Sequence, residues 1–195
     1  MGPFSFTPDG KWLAYYKQDP LPQIWTVAIQ EDGTGLKAGT PEQFLKDQSA
    51  DTVPLISPDG RWLAYESNPS GNYEVYVRPF PPQASGQGKQ EQVSNGGSRG
   101  PFHMAWSPSG HEFYYQSGDQ IMAVSYSVKG NEFIHEKPRP WISKLGGFQW
   151  DLDPNGKRIA VITSVAPPQT PQQDHTVVFL LNFLDYLKQQ VPLNK

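Results

Sequence analysis

The sequence contains no cysteine. That absence excludes disulfides, thiolate metal sites and cysteine nucleophiles together. It also lacks any cluster of Lys and Arg, and its 16 basic and 19 acidic side chains leave a net charge of −3. Nucleic acid is therefore not an expected partner. No apolar run exceeds Val177 to Leu181, far short of the ~20 residues that a membrane span needs. Met1-Gly2-Pro3 leads directly into Phe4-Ser5-Phe6, without the basic, apolar and cleavage regions of a secretory signal. Asn68-Pro69-Ser70 is blocked by its proline as a glycosylation acceptor. Charged residues are scarce at 18%, too few for a helical bundle.

What the chain has in quantity is punctuation and rings. It carries 18 Gly, 20 Pro, 6 Trp, 9 Tyr and 10 Phe in 195 residues. So many breakers oppose long helices, and so many aromatics can bury enough surface to offset chain entropy, which opposes disorder. The composition points to a turn-rich β protein.

The breakers recur in register. Four segments align: Ser5 to Tyr15, Leu55 to Tyr65, Ala105 to Tyr115 and Asp151 to Val161. Their turn prolines stand at Pro8, Pro58, Pro108 and Pro154, spaced by 50, 50 and 46 residues. Chance does not give such spacing, and a period of that length signals a repeat architecture. In each copy the proline presets φ at the second turn position, and Gly10, Gly60, Gly110 or Gly156 supplies the left-handed residue that ends the turn. Asp9 and Asp59 stand between them in the first two copies, and Ser109 and Asn155 in the others. A type I turn closed by such a glycine joins two antiparallel strands.

The strand after the turn, Trp12 to Tyr16 or Trp62 to Tyr65, is apolar at consecutive positions, the mark of a strand buried on both faces. Third strands are expected at Gln23 to Ile29, Tyr73 to Phe80, Gln120 to Ser127 and Thr176 to Leu181. Short outer strands are expected at Glu42–Leu45, Glu91–Ser94 and Trp141–Ser143. Four strands per repeat, covered on both sides, describe a β-propeller blade.

The motif Ser-Pro-Asp-Gly-Arg-Trp-Leu-Ala-Tyr at 57–65, with its copy at 7–15, resembles the WD40-like repeat of TolB-type propellers. The run Pro54 to Phe80 is similar to the propellers that follow bacterial serine/threonine kinase domains. The expected fold is all-β: a propeller of about four blades of four antiparallel strands, at 4–50, 51–100, 101–146 and 147–184. A short C-terminal helix over 183–191 is expected after Asn182, and the array is expected to be part of a larger propeller. The resemblance implies a bacterial signalling protein, an extracytoplasmic location and a kinase or other domain upstream. A closed four-bladed monomer and a dimer of half-propellers are the competing arrangements.

Motifs for catalysis are formal only. Gly96-Gly97-Ser98-Arg99-Gly100 matches a nucleophile elbow in letters, but Pro101 and an inner strand follow where a helix is required. Asp151 to Gly156 resembles the start of a calcium loop, yet its twelfth position is Ile162 rather than Glu. His103, His111, His135 and His175 form no ligand pair by spacing. No catalytic residue, metal or cofactor is expected. The expected role is a non-catalytic binding or sensor module for a protein, peptide or small ligand. An assembly scaffold and the propeller of a hydrolase are the alternatives. The links between outer and next inner strand (47–53, 96–103 and 144–149) vary while the turns repeat, so the channel mouth is the expected contact region. Asp51, Arg99, His103 and Gln149 are its candidate residues.

Overall fold

The computed structural model describes residues 2–46, 48–81, 89–96, 104–147 and 149–163. These residues form sixteen strands in four antiparallel sheets. The first sheet holds β1 (Gly2–Phe6), β2 (Trp12–Gln18), β3 (Pro22–Glu31), β4 (Leu36–Ala38) and β5 (Glu42–Gln43). The second holds β6 (Asp51–Ile56), β7 (Trp62–Ser67), β8 (Glu74–Pro79) and β9 (Glu91–Gln92). The third holds β10 (Met104–Trp106), β11 (Glu112–Ser117), β12 (Gln120–Lys129), β13 (Glu132–His135) and β14 (Arg139–Ile142). The fourth shows β15 (Gln149–Leu152) paired with β16 (Ile159–Ile162). The expected strand Thr176 to Leu181 and helix 183–191 lie outside the described residues.

The four repeated turns share one geometry. Gly10, Gly60, Gly110 and Gly156 have φ of 70°, 71°, 73° and 69°. Their amides donate to the carbonyls of Thr7, Ser57, Ser107 and Asp153 at 2.8–2.9 Å. In the first two turns the Thr7 or Ser57 hydroxyl donates to Asp9 or Asp59, and the same hydroxyl accepts the amide of Trp12 or Trp62. Ser109 replaces the aspartate in the third turn, and its hydroxyl pairs with that of Ser107 at 2.8 Å. Asp153 closes the fourth by accepting the amides of Lys157 and Arg158. Different side chains thus make the same turn, because each supplies an oxygen where the backbone needs one.

The hydrophobic core is divided among the gaps between sheets. Ala14, Ile24, Phe44 and Leu45 of the first sheet meet Ile56, Leu63, Tyr65 and Tyr76 of the second. Trp62, Ala64, Val75 and Val77 of the second meet Trp106, Phe113, Tyr115 and Phe133 of the third. Tyr114, Ile121 and Ala123 of the third meet Trp150 of the fourth. Face-on stacking of successive small sheets is the geometry of propeller blades. It explains the consecutive apolar residues: β7, with a blade on either side, is buried along its whole length. By contrast β2 is mostly half-buried, and β16 alternates between half-buried and exposed. Polar ties cross the same gaps. The Ser5 hydroxyl accepts the Ile56 amide at 3.0 Å, Trp106 Nε1 donates to the Leu55 carbonyl at 3.0 Å, and Arg61 donates to the Gly130 carbonyl at 2.6 Å.

The outer edge departs from the expected single fourth strand. β3 and β12 each run for ten residues. The far end of each pairs with an added hairpin strand, β4 or β13, and the near end pairs with β5 or β14. A strand longer than its sheet leaves backbone groups unpaired, and the hairpin satisfies them. Lys129-Gly130-Asn131-Glu132, with Lys129 opposite Glu132, is a two-residue hairpin signal of known type.

Candidate functional site

The four innermost strands face a common channel. Phe4 of β1, Val53 and Leu55 of β6, Met104 of β10, and Gln149, Trp150 and Asp151 of β15 line one cleft of about 380 Å³. Ala160 and Ile162 of β16 complete it. A second cleft of about 400 Å³ lies toward the turns, where Pro8, Pro58, Pro108 and Pro154 gather around the other opening. The repeated prolines therefore ring one mouth. Gly60 and Gly156 sit so close to the preceding blade's proline that an added Cβ would stand 3.4 Å and 3.2 Å from its ring.

The walls are mainly apolar. Asp151 borders both clefts and so stands between the two mouths. One of its carboxylate oxygens accepts the Leu152 amide at 2.8 Å. Trp150 is 6% exposed, and its indole Nε1–H meets no acceptor among the described residues. Val53 holds φ of 55° within a register shift of β6. A β-branched residue rarely adopts that region, at a cost of about 1–3 kcal/mol. The distortion lies in the channel wall, where the inner strand breaks its pairing between Thr52 and Leu55.

Of the four residues expected at the channel mouth, Gln149 is exposed at the start of β15 and lines the cleft. Asp51 is the first residue of β6, opposite Ser67, and is completely buried. It is part of the blade's interior rather than of an exposed rim. Arg99 and His103 lie outside the described residues, as does Ser98. Leu55, Met104, Trp150 and Asp151 were not singled out as channel residues by sequence reasoning. Their signal is positional. Leu55 and Asp151 hold the same place three before their turn prolines, and Met104 and Trp150 share the place four before, on inner strands whose side chains alternate in direction.

A third crevice, of about 600 Å³, opens between the second and third blades, lined in part by Ser94, Asn95, Tyr115, His135 and Lys137. Burial, followed by the Glu74 charge, pushes the Tyr115 phenol up to about 12. The Ser94 hydroxyl bonds the Glu74 carboxylate and accepts the Val75 amide at 2.7 Å, so it serves as a tie between β8 and the segment after β9. Among the described residues no group of three or more His, Asp or Glu side chains could hold a metal ion, and no helix is long and apolar enough to cross a membrane.

Comparison with known proteins places this geometry. No protein-family model matches the chain. Dipeptidyl-peptidase 5 of Trichophyton equinum is 24% identical over 149 residues, covering 70% of this chain and 20% of that protein. The enzyme of the same name from Arthroderma otae is 26% identical over the same length. The chain thus spans about a fifth of the curated relatives it matches. Among solved structures, TolB from Acinetobacter baumannii aligns with a TM-score of 0.47 and 20% identity over 84% of this chain and 37% of its own. A Bacteroides uniformis protein assigned as a 6-phosphogluconolactonase aligns with a TM-score of 0.56 and 18% identity, over 83% of this chain and 47% of its own. By its stacked antiparallel sheets and repeated turns, the chain is a β-propeller array similar in fold to the Bacteroides uniformis protein.

Proposed function

We propose that the array is a binding module whose ligand, a peptide or a peptide segment of a protein, enters the central channel. One observation carries the reading: side chains from four separate blades converge on one largely apolar cleft of about 380 Å³. Concave, mainly apolar sites with a few polar groups are where ligands bind. Rigid strands hold those side chains, so the site is formed before the ligand arrives.

The test is capture of a randomised peptide library by the purified chain, repeated with Gln149→Trp. Gln149 is exposed at the cleft, so the larger ring obstructs the opening without entering the core. Capture by the parent chain and a loss of tenfold or more in the variant is the expected result. Equal capture by both would remove the channel from the reading.

The dipeptidyl-peptidase 5 similarity favours a second reading, in which the array is the propeller part of a peptidase. Hydrolysis of dipeptide anilides by a longer chain containing these blades, but not by the blades alone, would support it. An extracytoplasmic, bacterial signalling role belongs to the first reading, with ligand occupancy passed to an attached domain.

A further inference from the structure

We infer that the channel selects a peptide presenting a cationic side chain, Lys or Arg, with a backbone carbonyl beside it. The inference rests on the channel-binding reading and specifies its ligand.

Three features of the cleft point the same way. Among the described residues its lining holds one ionisable side chain, Asp151, and no Lys, Arg or His. The turn-side cleft adds Asp153 and, among the described residues, again no basic side chain. Asp153 is already engaged by Arg158 at 3.2 Å, whereas one Asp151 oxygen carries the Leu152 amide and no described cation pairs with the carboxylate. A carboxylate set among Phe4, Leu55, Met104 and Ile162 favours a ligand that brings positive charge on an apolar stem. That is the form of a lysine or arginine side chain, whose methylenes can lie on the wall while its head meets the acid.

The second feature is independent of charge. Trp150 lines the same cleft and is 6% exposed, yet its Nε1–H has no acceptor among the described residues. A buried donor left unpaired costs about 1–3 kcal/mol, so a ligand acceptor there recovers a real deficit. Trp62 also has an unpaired indole N–H, but it lies in the packing between the second and third blades and borders neither cleft. Among the described residues Trp150 alone both carries an orphan donor, itself buried, and lines the channel cleft. Third, the Gln149 side chain borders the opening and can both donate to and accept from an extended peptide backbone.

The experiment uses the full chain and a library of acetylated, amidated hexapeptides. One position is fixed as Lys, norleucine or Glu, and the others are randomised. The chain is expected to capture the Lys library at least tenfold more strongly than the norleucine library, with the Glu library weakest. The preference should shrink on raising salt from about 50 to 500 mM, because exposed charge pairs are screened. In Asp151→Asn the Lys and norleucine libraries should bind alike. In Trp150→Phe both should weaken together, because a carbonyl contact is blind to the side chain; circular dichroism verifies that this variant is folded. Equal capture of Lys and norleucine by the parent chain would overturn the selectivity and leave channel binding standing. So would a preference that survives Asp151→Asn. If neither library binds, the reading of the channel as a peptide site fails with it.

Discussion

At the scale of single residues, the sequence pattern states where backbone geometry is tightest, but not every place. The four turn glycines were legible because proline and glycine recur at a fixed offset. Gly147 was not, since it lies in a variable link. Its backbone packs so closely on the fourth blade that an added Cβ would stand 2.5 Å from the Ile162 carbonyl oxygen. Backbone cannot move aside as a flexible side chain can. Gly147→Ala should therefore destabilise the chain by about 1–3 kcal/mol, as overpacking does. Urea unfolding monitored by tryptophan fluorescence would measure it, and an unchanged midpoint would contradict the close approach. Asp51 makes the converse point. A carboxylate in a polar link reads as exposed, yet the inner strand starts at that residue and carries it inside.

At the scale of elements, the inner three strands of the first three blades were readable from consecutive apolar residues, length and turns, and the outer edge was not. Outer strands are short and half-exposed, so burial imposes little pattern on them. The added strand β13 is the telling case. Phe133 on it is 5% exposed and stacks with Tyr126 at 4.8 Å and against Trp62 at 5.3 Å. The hairpin is therefore a lid on the gap between the second and third blades rather than a loose excursion. Phe133→Ala should cost about 3–5 kcal/mol, the range for large aromatic truncations in a core. Truncating the neighbouring Ile134, which is 46% exposed, should cost much less. Thermal melting of the two variants side by side checks the ranking, and similar losses would count against the lid.

At the scale of the whole array, stability resides in the gaps between blades, and that has a pH signature. Tyr115 and Tyr126 pack in the gap between the second and third blades, and Tyr114 in that between the third and fourth. Burial pushes all three phenols up to about 12, helped by Glu74 for Tyr115, by Asp59 for Tyr126 and by the Glu112 hydrogen bond for Tyr114. The folded array thus holds protons that the unfolded chain releases near pH 10. Stability from these groups is complete below about pH 10 and is lost as pH rises toward about 12. The melting temperature should fall steeply over that window, with tyrosine ionisation and unfolding in step. A melting temperature constant from pH 9 to 11.5 would contradict the burial of these hydroxyls.

The ends of the array follow the same logic. Phe6, the counterpart of Ile56 and Trp106, is 56% exposed where they are 6% and 7% exposed. No described blade covers its side. Residue identity is the same in kind; only the neighbour differs.

By itself the sequence determined the unit: a turn whose proline and glycine set the dihedrals, a strand apolar on both faces, and a period of about fifty. These are local properties, carried by residues close in the chain, and they repeat because each blade meets the same requirement. Tertiary structure alone decided which side chains share the channel. Leu55, Met104 and Asp151 are far apart in sequence and come together only through the stacking of their blades. That stacking placed Gln149 at the opening, withdrew Asp51 into the second blade and left the Trp150 indole N–H buried without a described partner. The unit is set by local geometry, whereas the site is set by how the units close on one another.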